Sequence, residues 1–257
     1  MTMKKDLLLL LSLLLGTMAL ATPSKADCER AAKKGDSLYA AANYEDAAAT
    51  YENILASGYV SADLYYNLAG AYYRQDRIPQ AILNYERALQ LKPGIKDASD
   101  NLSLAYSKTQ DRITPLPKLF IVRWHHSLVT KVTPATWNVI CQLLLFLLLA
   151  SLLVMLLSRS VSLRKGALAT LFATGALFIV ASLLLFQSYN HRSAHRDAIV
   201  MQSSVIVKAS PEERSTDKFL LHAGTKVEVD ESLSGWNKVI LADGNTGWLP
   251  SQSIERI

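Results

Sequence analysis

The sequence predicts a multidomain chain in which an all-α repeat array, a two-helix transmembrane hairpin and a small all-β module follow one another. Three observations support this order. Residues spaced by 34 positions recur in the N-terminal third, two long uncharged apolar runs occupy the middle, and short β-prone runs separated by turn signals fill the C-terminal part.

These patterns divide the 257 residues into six segments. The predicted segments are a signal peptide (1–26), a repeat domain (27–110), a proline-containing interfacial linker (111–138), the hairpin (139–186, with crossings at 139–157 and 167–186), a short linker (187–197) and the all-β domain (198–257).

The two apolar runs, 139–157 and 167–186, contain no Asp, Glu, Lys, Arg or His. At about 1.5 Å rise per residue each forms a helix of roughly 30 Å, which matches the hydrocarbon core of a bilayer. Two such runs in succession are hard to cover in so small a protein. Small residues at four-residue spacing, Gly166, Thr170 and Thr174, predict the side on which the second helix packs against the first.

The N-terminus is typical of a secretory signal peptide. Lys4 and Lys5 precede a short apolar run, 7–15, and small residues follow it. Cleavage after Ala21 and cleavage after Ala26 both satisfy the small-residue rule. The signal peptide predicts that the first soluble region is exported, and two crossings return the C-terminal region to the same side.

The linker between the repeat and the hairpin contains three prolines, which exclude one long helix through it. The apolar stretch around Trp124 is expected on the outer membrane surface, with Trp124 and Trp137 as headgroup anchors. His125 and His126 are adjacent, point in different directions and have no third ligand in the sequence pattern. No metal site is predicted.

Six residue pairs in the N-terminal third are separated by 34 positions: Gly35 and Ala69, Leu38 and Tyr72, Tyr44 and Ile78, Ala47 and Ala81, Tyr51 and Tyr85, Ile54 and Ala88. This period is diagnostic of tetratricopeptide repeats, in which small residues let two helices approach and aromatic rings fill the space between hairpins. A third first-type helix, ending near Lys108, is expected to cap the two repeats.

Tetratricopeptide arrays usually bind an extended peptide in the groove that the first helices line. The candidate groove residues are Tyr39, Tyr66, Tyr73, Arg74 and Lys108. Tyr and Arg suit a binding surface because they supply contact area and directed hydrogen bonds. Exposed tyrosines on a short array are equally compatible with packing residues, and the ligand class stays open.

After Asp197 the order of motifs resembles a bacterial-type SH3 domain. The motifs are Val205-Ile206-Val207 before Ser210-Pro211, then Leu221-His222-Ala223-Gly224, Gly235-Trp236-Asn237 and Gly247-Trp248-Leu249. Trp236 and Trp248 are expected to pack an SH3-like barrel, since so small a domain needs large aromatic area. A groove for peptide or wall material on one of them is the alternative.

Composition excludes several classes of function. The net charge of +5 is scattered rather than gathered into a basic face, which argues against nucleic-acid binding. The two cysteines, Cys28 and Cys141, do not form a disulfide framework, because the second lies in a predicted crossing. No phosphate-binding loop, nucleophile elbow or zinc-protease motif occurs. We therefore expect no enzymatic activity and no cofactor.

Over nearly its whole length after the signal peptide, the chain resembles the BatE family of the Bacteroides aerotolerance operon; the closest local matches are 66–73 and 81–89. The resemblance implies an inner-membrane protein whose soluble domains face the periplasm, beside von Willebrand A-domain Bat proteins and a MoxR-type ATPase. The expected function is a scaffold for partner proteins in an aerotolerance or envelope-stress complex. A receptor that binds or senses peptidoglycan is the alternative.

Overall fold

The computed structural model describes residues 24–117, 119–193 and 196–257. The predicted signal peptide, 1–26, lies outside the described residues except for its last three. The chain divides into two compact units between Val60 and Ser61.

The first unit contains two consecutive helices, α1 (Lys25–Ala40) and α2 (Tyr44–Ala56). A capping box starts α1: the Ser24 hydroxyl accepts a hydrogen bond from the Asp27 amide, and the Asp27 carboxylate accepts one from the Ser24 amide. The Tyr51 ring lies so close to α1 that a Cβ atom at Gly35 would be 2.5 Å from it. Glycine at position 35 therefore permits the close approach of the two helices.

The second unit begins with three helices, α3 (Ala62–Arg74), α4 (Ile78–Leu91) and α5 (Lys96–Ser107). Ser61 caps α3 by accepting a hydrogen bond from the Leu64 amide at 3.1 Å. Positions that repeat after 34 residues are buried in both units: Gly35 and Ala69, Ala47 and Ala81, Tyr51 and Tyr85, Ile54 and Ala88. Small residues and aromatic rings thus occupy equivalent core positions in the two helical pairs.

Three further helices follow, α6 (Phe120–Lys131), α7 (Pro134–Leu157) and α8 (Val161–Ser193). Because α6 ends at Lys131 and α7 begins at Pro134, the prediction that no long helix runs through the linker is confirmed. The Trp137 indole donates a hydrogen bond to the Leu128 carbonyl, and the Ser188 hydroxyl donates one to the Val132 carbonyl. Both bonds join α6 and its end to the α7–α8 pair.

Within the described part of the chain, α7 and α8 are the two helices long and apolar enough to cross a membrane. The four most buried positions of α8 recur every seven residues: Ala167, Thr174, Ala181 and Ser188. The predicted packing residues Gly166 and Thr170 face the same way but stay exposed, because they line a groove with Ala150 and Ser151 of α7 instead of packing closely; Thr174 is buried as predicted. The seven-residue interval is that of helices that supercoil around each other, because it keeps one seam facing the partner.

The rest of the second unit is one antiparallel sheet of seven strands: β1 (Asp197–Val200), β2 (Ser204–Lys208), β3 (Asp217–His222), β4 (Lys226–Leu233), β5 (Trp236–Ile240), β6 (Thr246–Pro250) and β7 (Ile254–Arg256). Their order is β3-β2-β6-β5-β4-β1-β7. The edge strands β3 and β7 do not pair, so the predicted barrel is not closed.

Five of the seven strands coincide with the β-prone runs predicted from the sequence, which are 198–201, 205–207, 226–229, 236–241 and 247–249. The sequence analysis missed β3, which starts with two exposed charged residues, and β7, which is too short to show an alternating pattern. The core of the sheet is aliphatic and lies on one face, where Val207, Val239 and Leu249 are fully buried. A Cβ atom at Gly247 would lie 2.4 Å from Val207, so only glycine fits there.

Candidate interaction site

Two predicted groove residues, Tyr66 and Tyr73, lie two helical turns apart on α3 and are half-buried. The Tyr66 hydroxyl accepts a hydrogen bond from the Asn101 amide nitrogen on α5, at 3.2 Å. The Tyr66 ring also packs on Tyr85 of α4, with 5.9 Å between ring centroids. Tyr66 therefore joins all three helices while part of its ring remains accessible.

Tyr73 and Lys108, which are 35 positions apart in the sequence, meet in the structure. The Lys108 ammonium lies 4.5 Å from the centroid of the Tyr73 ring and 3.0 Å from an Asp76 carboxylate oxygen. The hydrogen bond to Asp76 raises the pKa of Lys108, so the group stays cationic. A cation over an aromatic face with a carboxylate beside it forms a mixed polar and aromatic surface.

The other two predicted groove residues, Arg74 and Tyr39, are each placed by their own surroundings. Arg74 is exposed in the last turn of α3. Tyr39 belongs to the first unit, where its ring packs edge-to-face on Tyr44 with 5.1 Å between centroids. Tyr66 and Tyr73 of α3 thus contact α5 and its C-terminal end, where Lys108 lies.

A second polar cluster, which the sequence analysis did not predict, joins the segment after α5 to the sheet. The mostly buried Asp111 carboxylate accepts hydrogen bonds from the His222 amide at 2.8 Å and from the Thr225 hydroxyl at 2.6 Å. Its other oxygen lies 2.6 Å from the His222 ring nitrogen Nδ1. Burial tends to raise the pKa of Asp111, but these hydrogen bonds outweigh burial and hold that pKa below its usual range.

A buried ion-pair network links α4 to the same sheet. The Lys226 ammonium lies 2.9 Å from Glu86 and 3.0 Å from Asp197. Burial alone would lower the pKa of Lys226, but the two carboxylates outweigh it and raise that pKa. The Tyr106 hydroxyl donates to the second Glu86 oxygen at 2.7 Å, and burial together with this carboxylate raises the pKa of Tyr106.

Close apolar packing completes the contact, which we call the repeat–sheet joint. Gly224, with φ of +89°, would place a Cβ atom 2.7 Å from the Thr109 methyl group. Ile113 packs against the aliphatic core of the sheet, and the Leu116 amide donates to the Ala242 carbonyl at 3.0 Å. The segment 109–116, part of which was predicted as linker, is therefore an integral part of the sheet module.

The comparison with family models matches residues 32–94 to the tetratricopeptide repeat. A comparison with curated proteins gives no match. Residues 32–94 form tetratricopeptide repeats. The prediction for this part of the chain is confirmed, and repeats of this kind are protein–protein interaction modules.

The sheet that docks on the tetratricopeptide repeats presents its two tryptophans differently from the prediction. Trp236 and Trp248 are half-buried and lie outside the aliphatic core. Because side chains alternate along β6, the inward position of Leu249 turns its neighbour Trp248 to the opposite face. Trp248 pairs with Lys208 on one side and with Lys238 on the other.

Lys208 and Lys238, the cations on either side of Trp248, are paired with carboxylates. Lys208 lies 2.7 Å from Asp217, and Lys238 lies 2.8 Å from Asp230. On the outer face of the sheet, the Trp248 side chain therefore lies between two lysines whose charges are neutralised by aspartates. Among the described residues, no group of three or more His, Cys, Asp or Glu side chains is arranged to hold a metal ion.

Proposed function

We propose that this protein is a non-enzymatic scaffold of the bacterial inner membrane. In this proposal, α7 and α8 cross the bilayer, and the tetratricopeptide repeats and the sheet face the periplasm, where they bind partner proteins. The repeat–sheet joint is the observation that carries the proposal. Asp111 precedes the hairpin, His222 follows it, and the two residues are in direct contact although they are 111 positions apart.

The joint supports two crossings because contact between the flanks of a membrane segment requires both flanks on one side. An even number of crossings satisfies that requirement, and a single crossing does not. The hairpin supplies two apolar helices of sufficient length. In an 18-residue apolar stretch of each helix, only 11% of the residues are buried within the protein. Apolar side chains exposed over so large an area are costly in water and favourable in lipid.

Partner binding is supported by the tetratricopeptide match and by the surface at Tyr66, Tyr73 and Lys108. Aromatic rings with a directed cation provide the contact area and specificity of a protein interface. The resemblance to BatE proteins suggests Bat-type partners with von Willebrand A domains, a MoxR-type ATPase system and a role in aerotolerance or envelope stress. The predicted signal peptide supports the periplasmic orientation.

Cysteine labelling in intact cells tests the topology. In a full-length Cys28→Ser, Cys141→Ser background, single cysteines replace the exposed residues Gln110, Ser162 and Asn245. We expect a membrane-impermeant maleimide applied from the periplasm to label positions 110 and 245, and to label position 162 only after the inner membrane is permeabilised. Labelling of position 162 alone would reverse the orientation, and equal labelling of all three would exclude crossing.

The outward face at Trp236 and Trp248 favours a second candidate function, binding of peptidoglycan by the sheet. Half-buried indole rings on the outer face keep one side available to stack on sugar rings, whereas core tryptophans are not available to a polymer. Sedimentation of the detergent-solubilised full chain with isolated murein tests this function. Retention that Trp248→Ala abolishes and Trp124→Ala preserves would support it, and absence of sedimentation would reject it.

A further inference from the structure

We propose that an apolar ridge formed by Leu116 and the first turns of α6 lies in the headgroup region of the bilayer and holds the sheet module directly on the membrane surface. This inference rests on the proposed crossing of α7 and α8. It adds a second contact with lipid, outside the spanning helices, and it names the residues that make that contact.

The ridge consists of large apolar side chains that stay exposed within the described part of the chain. Leu119 and Phe120 are each 75% exposed and Trp124 is 62% exposed, while Leu116, Ile121 and Val122 are also exposed. Six such residues lie within nine positions, and soluble proteins rarely leave so much apolar surface uncovered. Tryptophan within the set is typical of the interface between lipid and water.

The opposite side of α6 is fixed to the hairpin. Val129 is buried, Leu128 packs on the cluster around Trp137, and the Trp137 indole donates to the Leu128 carbonyl at 3.3 Å. This end of the hairpin is where the chain enters α7. The exposed side of α6 therefore continues the apolar surface of the helices, at the level where the spanning segment begins.

Chain length places the sheet at the same level. Leu116 is held on the sheet through its bond to Ala242 and its contact with Gly244, and α6 starts only four residues later. Three residues of extended chain span at most about 11 Å. On the other side, α8 ends at Ser193 and β1 starts at Asp197. Both connections are too short to let the sheet move far from the bilayer.

Lipid is the occupant that fits this ridge best. A protein partner would have to cover a surface that runs into the apolar hairpin, whereas the acyl–headgroup boundary of the same bilayer is already adjacent in the proposed topology. Amphipathic helices with Phe, Leu and Trp on one side bind at this depth.

Depth-dependent fluorescence quenching tests the inference on the full chain in nanodiscs of phosphatidylethanolamine and phosphatidylglycerol. An environment-sensitive dye is attached to single cysteines at Phe120, at Leu149 in α7, at Asn245 in the turn before β6, and at Leu104 on α5. Leu104 is the matched control, because it is an exposed leucine of the repeat.

We expect the dye at position 120 to be quenched at least twofold more by a nitroxide at acyl carbon 5 than by one at carbon 12, and the dye at position 149 to show the reverse. A headgroup nitroxide should quench position 245 at least twofold more than position 104. Ile121→Glu should at least halve the quenching at position 120, whereas Leu104→Glu should leave it unchanged.

The outcomes separate the inference from the proposed function. Quenching at position 149 without quenching at position 120, or no effect of Ile121→Glu, would overturn the ridge while the crossings stand. Quenching at position 120 without quenching at position 245 would overturn the placement of the sheet. Absence of quenching at both 149 and 120 would overturn the proposed crossing and this inference with it.

Discussion

The second unit contains two joints that hold distant parts of the chain together, and they are built differently. The seam between α7 and α8 uses small side chains, Ala167, Thr174 and Ala181, which let the helices approach closely. The repeat–sheet joint uses Asp111, Glu86 and Lys226 in charged hydrogen bonds. In the proposed membrane, lipid is as apolar as the helices, so close packing rather than a hydrophobic driving force must hold α7 and α8 together. In the repeat–sheet joint, charge-assisted hydrogen bonds offset the cost of removing polar groups from water.

The largest effect is expected where the joint allows no added atom. Gly224→Ala adds a methyl group 2.7 Å from the Thr109 methyl group, at a φ of +89° that disfavours any side chain. The strain costs about 1–2 kcal/mol, and the overpacking costs about 1–3 kcal/mol more. Denaturant unfolding of the full-length Gly224→Ala variant in detergent should therefore give a lower unfolding midpoint for the sheet than that of the natural chain.

Gly235→Ala is the matched control for this variant. Gly235 has a φ of +83°, and a Cβ atom there meets nothing within 4 Å. The control should therefore show the backbone strain alone. Equal losses in the two variants would mean that Thr109 does not pack tightly on the sheet.

Asp111→Ala should have the next largest effect, because it removes an acceptor from two groups of His222 and from Thr225. Loss of such charged hydrogen bonds costs about 2–3 kcal/mol. Hydrogen exchange of the full chain should show faster exchange of the His222 amide. Asp243→Ala, which removes a carboxylate that bonds only locally to Asn245, should leave that amide protected.

The seam should tolerate added volume less than the exposed side of the same helix. Ala181→Leu inserts a large side chain at a buried position, at a cost of about 1–3 kcal/mol, whereas Ala173→Leu adds it at an exposed one. Crosslinking between cysteines at Leu144 and Phe178 in nanodiscs should be slower only in the first variant. If both variants crosslink at the unmodified rate, α7 and α8 do not meet along the seven-residue seam.

Acid should weaken the repeat–sheet joint and spare the seam. The pKa of Asp111 is depressed in the folded protein, so the stability that its ionised form contributes is present above its unfolded pKa, about 4, and is lost as pH falls through the lower folded pKa. Protonation of Asp111 removes the negative partner that lies 2.6 Å from the His222 ring nitrogen. The stability difference between the natural chain and Asp111→Asn should be constant above about pH 5 and shrink below it.

The smallest effect on stability is expected at the exposed Lys108, because water screens its contacts with Tyr73 and Asp76. Lys108→Ala should leave the unfolding midpoint nearly unchanged and reduce the capture of partner proteins by the purified chain several-fold. Lys96→Ala, an exposed lysine at the start of α5, is the control. Equal capture by both variants would contradict a partner site at Lys108.

Local patterns predicted the elements well and their contacts poorly. The 34-residue period identified the repeats because buried small and aromatic residues recur at fixed intervals within each copy. Alternating β-prone runs identified five strands for the same reason. The packing stripe of α8 was predicted on the side that faces α7, but its interval differed: Gly166 and Thr170 line a groove there without being buried, because residue size alone does not show where two helices approach most closely.

The tryptophans show the same limit. Their size suggested a place in the core, but strand register decides which side chains point inward, and it gives the inward positions to Val239 and Leu249. Residue size predicts how much surface a side chain buries. It does not predict on which face of a sheet the side chain lies.

The sequence by itself determined the order of the modules, the repeat and the two long apolar helices, because each depends on residues close together in the chain. Only the tertiary structure decided that Asp111 and Ile113 complete a sheet whose strands follow the hairpin, and that the sheet closes no barrel. A contact between residues more than a hundred positions apart produces no periodic pattern in the sequence, since it depends on how the intervening helices fold back and bring the two segments together.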